Sequence, residues 1–276
     1  MHVDRAPGGC NVAGMKSNDA DPVTTHARLL EQARYFLKDH IRQEVDFSQT
    51  DQHRGIPPPP IQKPFPSDAF RMPLPPRPSG EAPFTEVRLA DAINGRESRR
   101  RFSPAPLSLA ELGFLLWATQ GVREILHPAA ALRTVPSAGA RHALETYLCV
   151  RQAEKLTSGI YRYLPVEHEL LHVADVPDLG ARLTQAVLGQ AFAGHAAVTF
   201  AWTAIPYRME WRYGLASHKV IALDAGHVCQ NLYLACEAVG AGTCAIAAYD
   251  QNTMDELLGV DGRDEFTVYL APVGKV

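Results

Sequence analysis

The stretch from Lys219 to Val239 limits the possible folds of this chain more than any other part. It reads KVIALDAGHVCQNLYLACEAV, with apolar residues on every side instead of in one stripe. A helix that is apolar all round belongs in a protein interior or in a membrane. Asp224, His227, Gln230, Asn231 and Glu237 interrupt the run and make it too polar to span a bilayer. The pattern therefore predicts a buried central helix. Gly240 ends it, because a glycine just past the last turn accepts the left-handed backbone of a C-cap. Thr243 to Tyr249, small and apolar, reads as a strand or extended segment lying on that core.

A length of 276 residues holds one sizeable core or two small domains. The net charge of −3 leaves no basic field for nucleic acid and no polybasic membrane anchor. Arg96, Arg99, Arg100 and Arg101 form a local exception. The five cysteines (Cys10, Cys149, Cys229, Cys236, Cys244) are odd in number and lack tight spacing, as expected of reduced thiols in a cytosol. No pair among them and His227 matches a zinc spacing, so no metal is expected. The N-terminus has no apolar signal region, and no run approaches the roughly 18 apolar residues of a membrane span. A soluble, cytoplasmic chain is expected.

Taken in order, residues 1–22 are polar, without period, and read as disordered. Residues 23–84 form an arm and a strap. The arm is an amphipathic helix from Thr25 with Leu30, Ala33, Leu37 and Ile41 on one face. The strap is proline-rich: 11 of the 21 prolines lie between Pro57 and Pro83, so it is extended and builds neither sheet nor helix. Such a strap lies over its own domain or serves as a ligand for an aromatic groove; the first reading is favoured.

The body, residues 85–276, opens with a short helix through Leu89 and Ile93 to Gly95. Ser108 and Glu111 form a capping box, with Leu107 and Leu112 as hydrophobic staple, on a helix running to Gly121. Residues 122–140 read as a loop. Leu144 to Arg151, Gly159 to Tyr163, Glu169 to Val173, Ala196 to Ala204 and Glu265 to Leu270 read as strands. Asp178 is expected to cap a helix through Val187, and another helix covers Thr253 to Leu258. Pro206 to Gly214 reads as an aromatic and basic loop. Helices and antiparallel-looking strands without a regular βαβ repeat make an α+β fold.

Three constellations invite chemistry. Arg96, Ser98 and Arg100 alternate, so in extended backbone they share one side, and two guanidiniums with a hydroxyl suit a phosphate. A solvated basic loop and an RNA contact remain as alternatives. Pro136-Ser137-Ala138-Gly139 is a small-residue turn that lets backbone approach a flat ligand, or simply a turn into a strand. A serine hydrolase is disfavoured, because no G-x-S-x-G occurs. Gly240-Ala241-Gly242-Thr243 follows a helix, the wrong context for a dinucleotide fingerprint.

Taken in order, Arg96-x-Ser98-x-Arg100-x-Phe102, Pro136-Ser137-Ala138-Gly139 and Gly240-Ala241-Gly242-Thr243-Cys244-Ala245-Ile246-Ala247 resemble the nitroreductase family. Leu116-Trp117-Ala118-Thr119-Gln120-Gly121, Gly159-Ile160-Tyr161-Arg162-Tyr163, Leu223-Asp224-Ala225-Gly226-His227 and Pro272-Val273-Gly274-Lys275 narrow the resemblance to its SagB/ThcOx branch, which includes azoline dehydrogenases. The match covers about Thr85 to Val276.

The resemblance implies an FMN-binding α+β fold with a mixed or antiparallel sheet, in an intertwined homodimer with FMN at the interface. Arg96, Ser98 and Arg100 would hold the phosphate, ribityl and pyrimidine edge. Pro136, Ser137, Ala138 and Gly139 of the other subunit would line the ring. The Ile246 and Ala247 backbone would approach the flavin N5 edge, and Lys275 would add charge at the phosphate. Ala140 stands where many relatives have asparagine, and Ala247 where they commonly have glutamate. Azoline dehydrogenases use a Lys-Tyr pair before the central helix; here that place reads Arg212-Tyr213. An arginine does not give up its proton at ordinary pH, so Tyr213 is the first candidate for proton transfer, with Glu210 beside it. Arg212 would bind an anionic or carbonyl-bearing substrate. The resemblance thus implies hydride exchange with a small-molecule or peptide-derived substrate. The alternatives are an NAD(P)H-dependent nitro, quinone or ene reductase, and a non-catalytic flavin-binding scaffold subunit.

Overall fold

The β-branched and aromatic runs pair into a single large sheet in a computed structural model that describes residues 22–75, 86–127 and 129–276. The strands are β1 (Arg71–Pro73), β2 (Val122–His127), β3 (Ala130–Arg133), β4 (Leu144–Val150), β5 (Gly159–Leu164), β6 (Glu169–Ala174), β7 (Val198–Ala204), β8 (Ala241–Thr243) and β9 (Phe266–Lys275). Seven of them form an antiparallel sheet in the order β1-β6-β5-β4-β7-β9-β8, while β2 and β3 make a separate hairpin. The helices are α1 (Pro22–Leu37), α2 (Leu89–Gly95), α3 (Leu109–Gln120), α4 (Leu179–Ala186), α5 (Ala191–His195), α6 (Tyr207–Tyr213), α7 (Ser217–Ala238) and α8 (Gln251–Leu258).

Strand alternation explains why both sheet faces are covered. Leu144, Leu148 and Val150 of β4, with Val198, Phe200 and Trp202 of β7, point to one side. There they meet Leu112, Leu115 and Leu116 of α3 and Ile221, Val228 and Leu232 of α7. Tyr147, Cys149 and Ala201 point the other way, onto Leu179 and Leu183 of α4 and Met254 and Leu258 of α8. Helices cover both faces of an antiparallel sheet, as the α+β reading anticipated. Ser108 and Glu111 close the capping box, and both staple residues, Leu107 and Leu112, are fully buried.

Several elements differ from expectation. The 122–140 loop contains the β2–β3 hairpin and a short 3-10 turn at Ala138–Ala140. Pro206 to Gly214 is largely helix α6, whose start lacks a side-chain cap. Asp178 has a left-handed backbone, φ 51°, and does not cap α4. The arm helix stops at Leu37, and Ile41 falls in the separate 3-10 turn His40–Glu44. Beyond Thr243 the chain leaves β8; only Ile246 pairs, with Leu270 of β9. α7 is buried along one side and exposed along the other, where Leu223 is 56% exposed. Of residues 1–22, expected to be disordered, 1–21 lie outside the described part and Pro22 begins α1; the 76–84 end of the strap and residue 85 lie outside it as well.

The strap lies on the body because buried arginines take its carbonyls. Arg133 Nη2 donates to Ile61 O (2.6 Å), and Arg162 Nη2 donates to Lys63 O (3.0 Å) and Pro64 O (3.1 Å). Prolines leave many carbonyls without a ladder partner, and a guanidinium supplies five donors. The strap also builds the short edge strand β1 against β6, contrary to the expectation that it forms no sheet. Proline at the end of an edge strand removes no needed donor.

Candidate functional site

The arginine segment lies against the far edge of the sheet. Arg99 N donates to Thr243 O (2.9 Å), and Ser98 bridges Thr243 of β8. Gly242 permits this approach: a Cβ there would stand 2.8 Å from Arg99 Cβ. Tyr233 of α7 gathers the segment from above. Its hydroxyl lies 3.0 Å from Ser98 Oγ and accepts from Ala245 N (2.8 Å), and the Arg96 guanidinium stacks 5.4 Å from its ring. Arg100 lies instead over Phe192 of α5, at 5.9 Å. Arg99, Arg100, Arg101 and Ser103 line a cleft of about 490 Å³. Arg99 Nε is buried there without a hydrogen-bond partner.

A second cleft, of about 500 Å³, opens where the chain leaves β8. Ala247 forms one wall, Phe266, Val268 and Tyr269 of β9 another, and Ala222, Ala225 and Gly226 of α7 a third. Phe36 of α1 and His218 stand at its rim. The walls are apolar, as in most small-molecule sites. Ile246 spends both backbone groups on Leu270, donating at 2.8 Å and accepting at 3.1 Å, so only Ala247 of the expected pair faces the cleft.

The Pro136–Gly139 turn packs on α6 of its own chain. Gly139 has φ 58°, and a Cβ there would lie 2.7 Å from the Tyr213 hydroxyl and 3.0 Å from Arg212 Nε. Arg212 lies over the Tyr213 ring at 5.5 Å. Behind the turn Asp224 is buried, with Oδ2 unpartnered; burial raises its pKa, partly offset by Ser137 and His227. Lys275 Nζ donates to Glu111 Oε1 (2.7 Å) and Val239 O (2.5 Å), so its charge is already engaged.

The arrangement joins Arg96, Ser98 and Thr243–Ala247 into one site and the Pro136 turn, Arg212 and Tyr213 into another. Sequence reasoning gave Tyr233 and His218 no role, and read Asp224 only as a polar interruption of the core helix and part of the Leu223–His227 motif. Tyr233 lies in the apolar helix run with nothing local to mark it. His218 sits outside every motif, and its pairing with Glu210 (Nε2 to Oε1, 2.9 Å) crosses an unrecognised helix junction. Among the described residues, no group of three or more His, Cys, Asp and Glu side chains is placed to hold a metal, and no helix is long and apolar enough to cross a membrane.

Comparison with known proteins places this architecture in a class. Residues 93–275 match the nitroreductase family. The protein MJ1384 of Methanocaldococcus jannaschii, which carries a provisional nitroreductase name, is 33% identical over 190 residues, covering 69% of this chain and 92% of its own. Two solved structures with provisional nitroreductase names share the fold. One, from Ralstonia eutropha, has a TM-score of 0.61 at 26% identity, covering 80% of this chain and 98% of that one. The other, from Anabaena variabilis, has a TM-score of 0.61 at 23% identity over 76% of this chain; this chain spans only 42% of that longer one. The chain belongs to the nitroreductase family and has its α+β fold.

Proposed function

We propose that this protein is a cytoplasmic, FMN-dependent oxidoreductase of SagB-like type that exchanges hydride with a small-molecule or peptide-derived substrate. One observation carries the reading: the short segment Thr243–Ala247 joins a cationic cleft to an apolar one. Thr243 holds the arginine segment, and Ala247 walls the apolar cavity. An amphiphile with a phosphate at one end and a flat ring at the other fits such a pair. FMN is that kind of molecule, and when bound it supplies hydride exchange at N5.

The chain's residues fit the group. Arg96, Ser98 and Arg100 would hold the polar end; Arg99 beside them is already paired with Glu97 (2.9 Å). Ala247 would face the ring edge. Lys275 contributes charge only if it leaves Glu111. The exposed side of α7, with Leu223, suits a second copy of the chain, whose Pro136, Ser137, Ala138 and Gly139 would line the ring. Tyr213 and Arg212 then stand against that turn, Arg212 as an anchor for an anionic or carbonyl group.

The absorption spectrum of the purified protein tests the cofactor; absence of an oxidised-flavin spectrum after reconstitution with FMN sinks the reading. Arg100→Ala is expected to weaken FMN by about 1.5–3 kcal/mol, a charge-assisted contact. Stoichiometric FMN surviving dialysis of that variant would move the phosphate elsewhere. Rapid bleaching of the flavin by NADH or NADPH would favour the NAD(P)H-dependent reductase instead, and a yellow protein that turns over no donor or acceptor would favour the scaffold.

A further inference from the structure

Hydride exchange at carbon leaves a proton to be moved. Arg212 does not release one, and Tyr213 is turned towards the Gly139 turn. The apolar cleft beside Ala247 carries a different titratable group. His218, in the first turn of α7, lines it with Ala222, Gly226 and Tyr269. Its Nε2 stands 2.9 Å from Glu210 Oε1, on α6. A carboxylate only accepts, so this bond assigns the proton to Nε2 and leaves the lone pair on Nδ1. His218 and Glu210 are 45% and 37% exposed, so a base held by a second group stands at the open rim of an apolar cleft, an arrangement that suits acid–base catalysis. The neighbouring cation, Lys219, is engaged with Asp39 (3.6 Å) and Leu37 O (3.3 Å) of the arm, so it does not compete for Glu210.

We propose that His218, oriented by Glu210, is the catalytic proton-transfer residue of this site. In the oxidative direction the substrate's X–H bond breaks and its proton passes to Nδ1. The adjacent C–H hydrogen leaves with its electron pair to the flavin, and a C=X double bond forms. The substrate loses two electrons and the flavin gains them; in the reductive direction His218 returns the proton. The substrate class is therefore one with a C–H beside an N–H or O–H, or the corresponding imine or carbonyl; a quinone takes the same hydride and proton on its two oxygens. The assignment rests on the FMN reading of the Ala247 cleft.

The experiment uses the full chain loaded with FMN and labelled with ¹⁵N-histidine. His218→Gln identifies the His218 resonance. The wild type is expected to show the Nε2–H tautomer, and Glu210→Gln to mix the tautomers. Separately, enzyme reduced with dithionite is mixed anaerobically with 2-methyl-1,4-naphthoquinone. His218→Gln is expected to slow reoxidation by on the order of 10²–10⁴-fold with FMN content unchanged, and Glu210→Gln by a smaller factor. Wild-type rates in His218→Gln, a loss carried by Tyr213→Phe, or a His218 tautomer indifferent to Glu210 would each overturn the assignment. Failure to take up FMN removes the cofactor reading and this proposal with it. That outcome is distinct from failure of His218 alone, in which the flavin binds and the variant turns over.

Discussion

Replacing Arg208 with methionine is expected to cost roughly 3–5 kcal/mol of folding stability. Arg208 and Glu145 form an ion pair at 2.6 Å whose side chains are only 1% and 2% exposed. Arg208 also donates to His142 O (3.2 Å), and Glu145 accepts from Lys63 N of the strap (2.9 Å). Without Arg208 a carboxylate stays buried without its main countercharge. The double replacement Arg208→Met with Glu145→Leu is expected to recover most of the loss, because two apolar side chains need no partner. Burial pushes the Glu145 carboxyl up, but Arg208 and Arg162 outweigh it and hold the pKa below the usual carboxylate value. A lowered folded pKa gives stability that is complete above the unfolded value and lost as pH falls through the folded one. The gap between wild type and Arg208→Met should therefore narrow in acid. Urea unfolding at neutral pH and near pH 4 measures it, and a gap below about 1 kcal/mol at neutral pH would show the pair is no anchor.

His142 should make the protein acid-labile at a higher pH than Glu145 does. Its ring is buried, with Nε2 3.1 Å from Ala131 O, so it stands neutral and donates to that carbonyl. Burial first, then the Arg133 charge, push its pKa from 6.5 down to about 3. The unfolded chain takes up the proton first, so stability falls as pH drops below about 6.5. The slope approaches ~1.4 kcal/mol per pH unit, and the loss continues until the folded value near 3. His142→Asn should flatten this slope, because asparagine tolerates the left-handed backbone at φ 47° and does not titrate. Thermal unfolding between pH 7 and 4.5 follows the effect. An unchanged slope in the variant would assign the acid sensitivity to other groups.

Local signals were legible wherever chain neighbours decide the structure. Ser108, Glu111 and the Leu107–Leu112 staple announced α3 because a capping box closes within one turn. The β5 and β6 strands were visible as two short strand runs, and the structure closes them into a hairpin in which Leu164 pairs with Glu169. The arginine segment and Ala247 stood out as motifs, and both line clefts. α6 was hidden, because it has no capping side chain and draws its order from outside. Trp211 Nε1 donates to Ile56 O (2.8 Å), and Tyr207 OH donates to Asp51 (2.8 Å). Those partners lie about 155 residues earlier. The β2–β3 hairpin lacked alternation because five of the six β2 residues are exposed.

By itself the sequence determined the apolar central helix, its glycine stop, the strands β4 to β7 and β9, and the order of the nitroreductase-family motifs, because each is written in residues a few positions apart. Only the tertiary structure decided which side of α7 is covered, which carbonyls of the proline strap meet Arg133 and Arg162, and that His218 faces Glu210. Those pairings depend on where distant elements dock. For Arg133 and Arg162 burial then makes the pairing matter: a charge or donor taken out of water must find its partner wherever the chain has brought one.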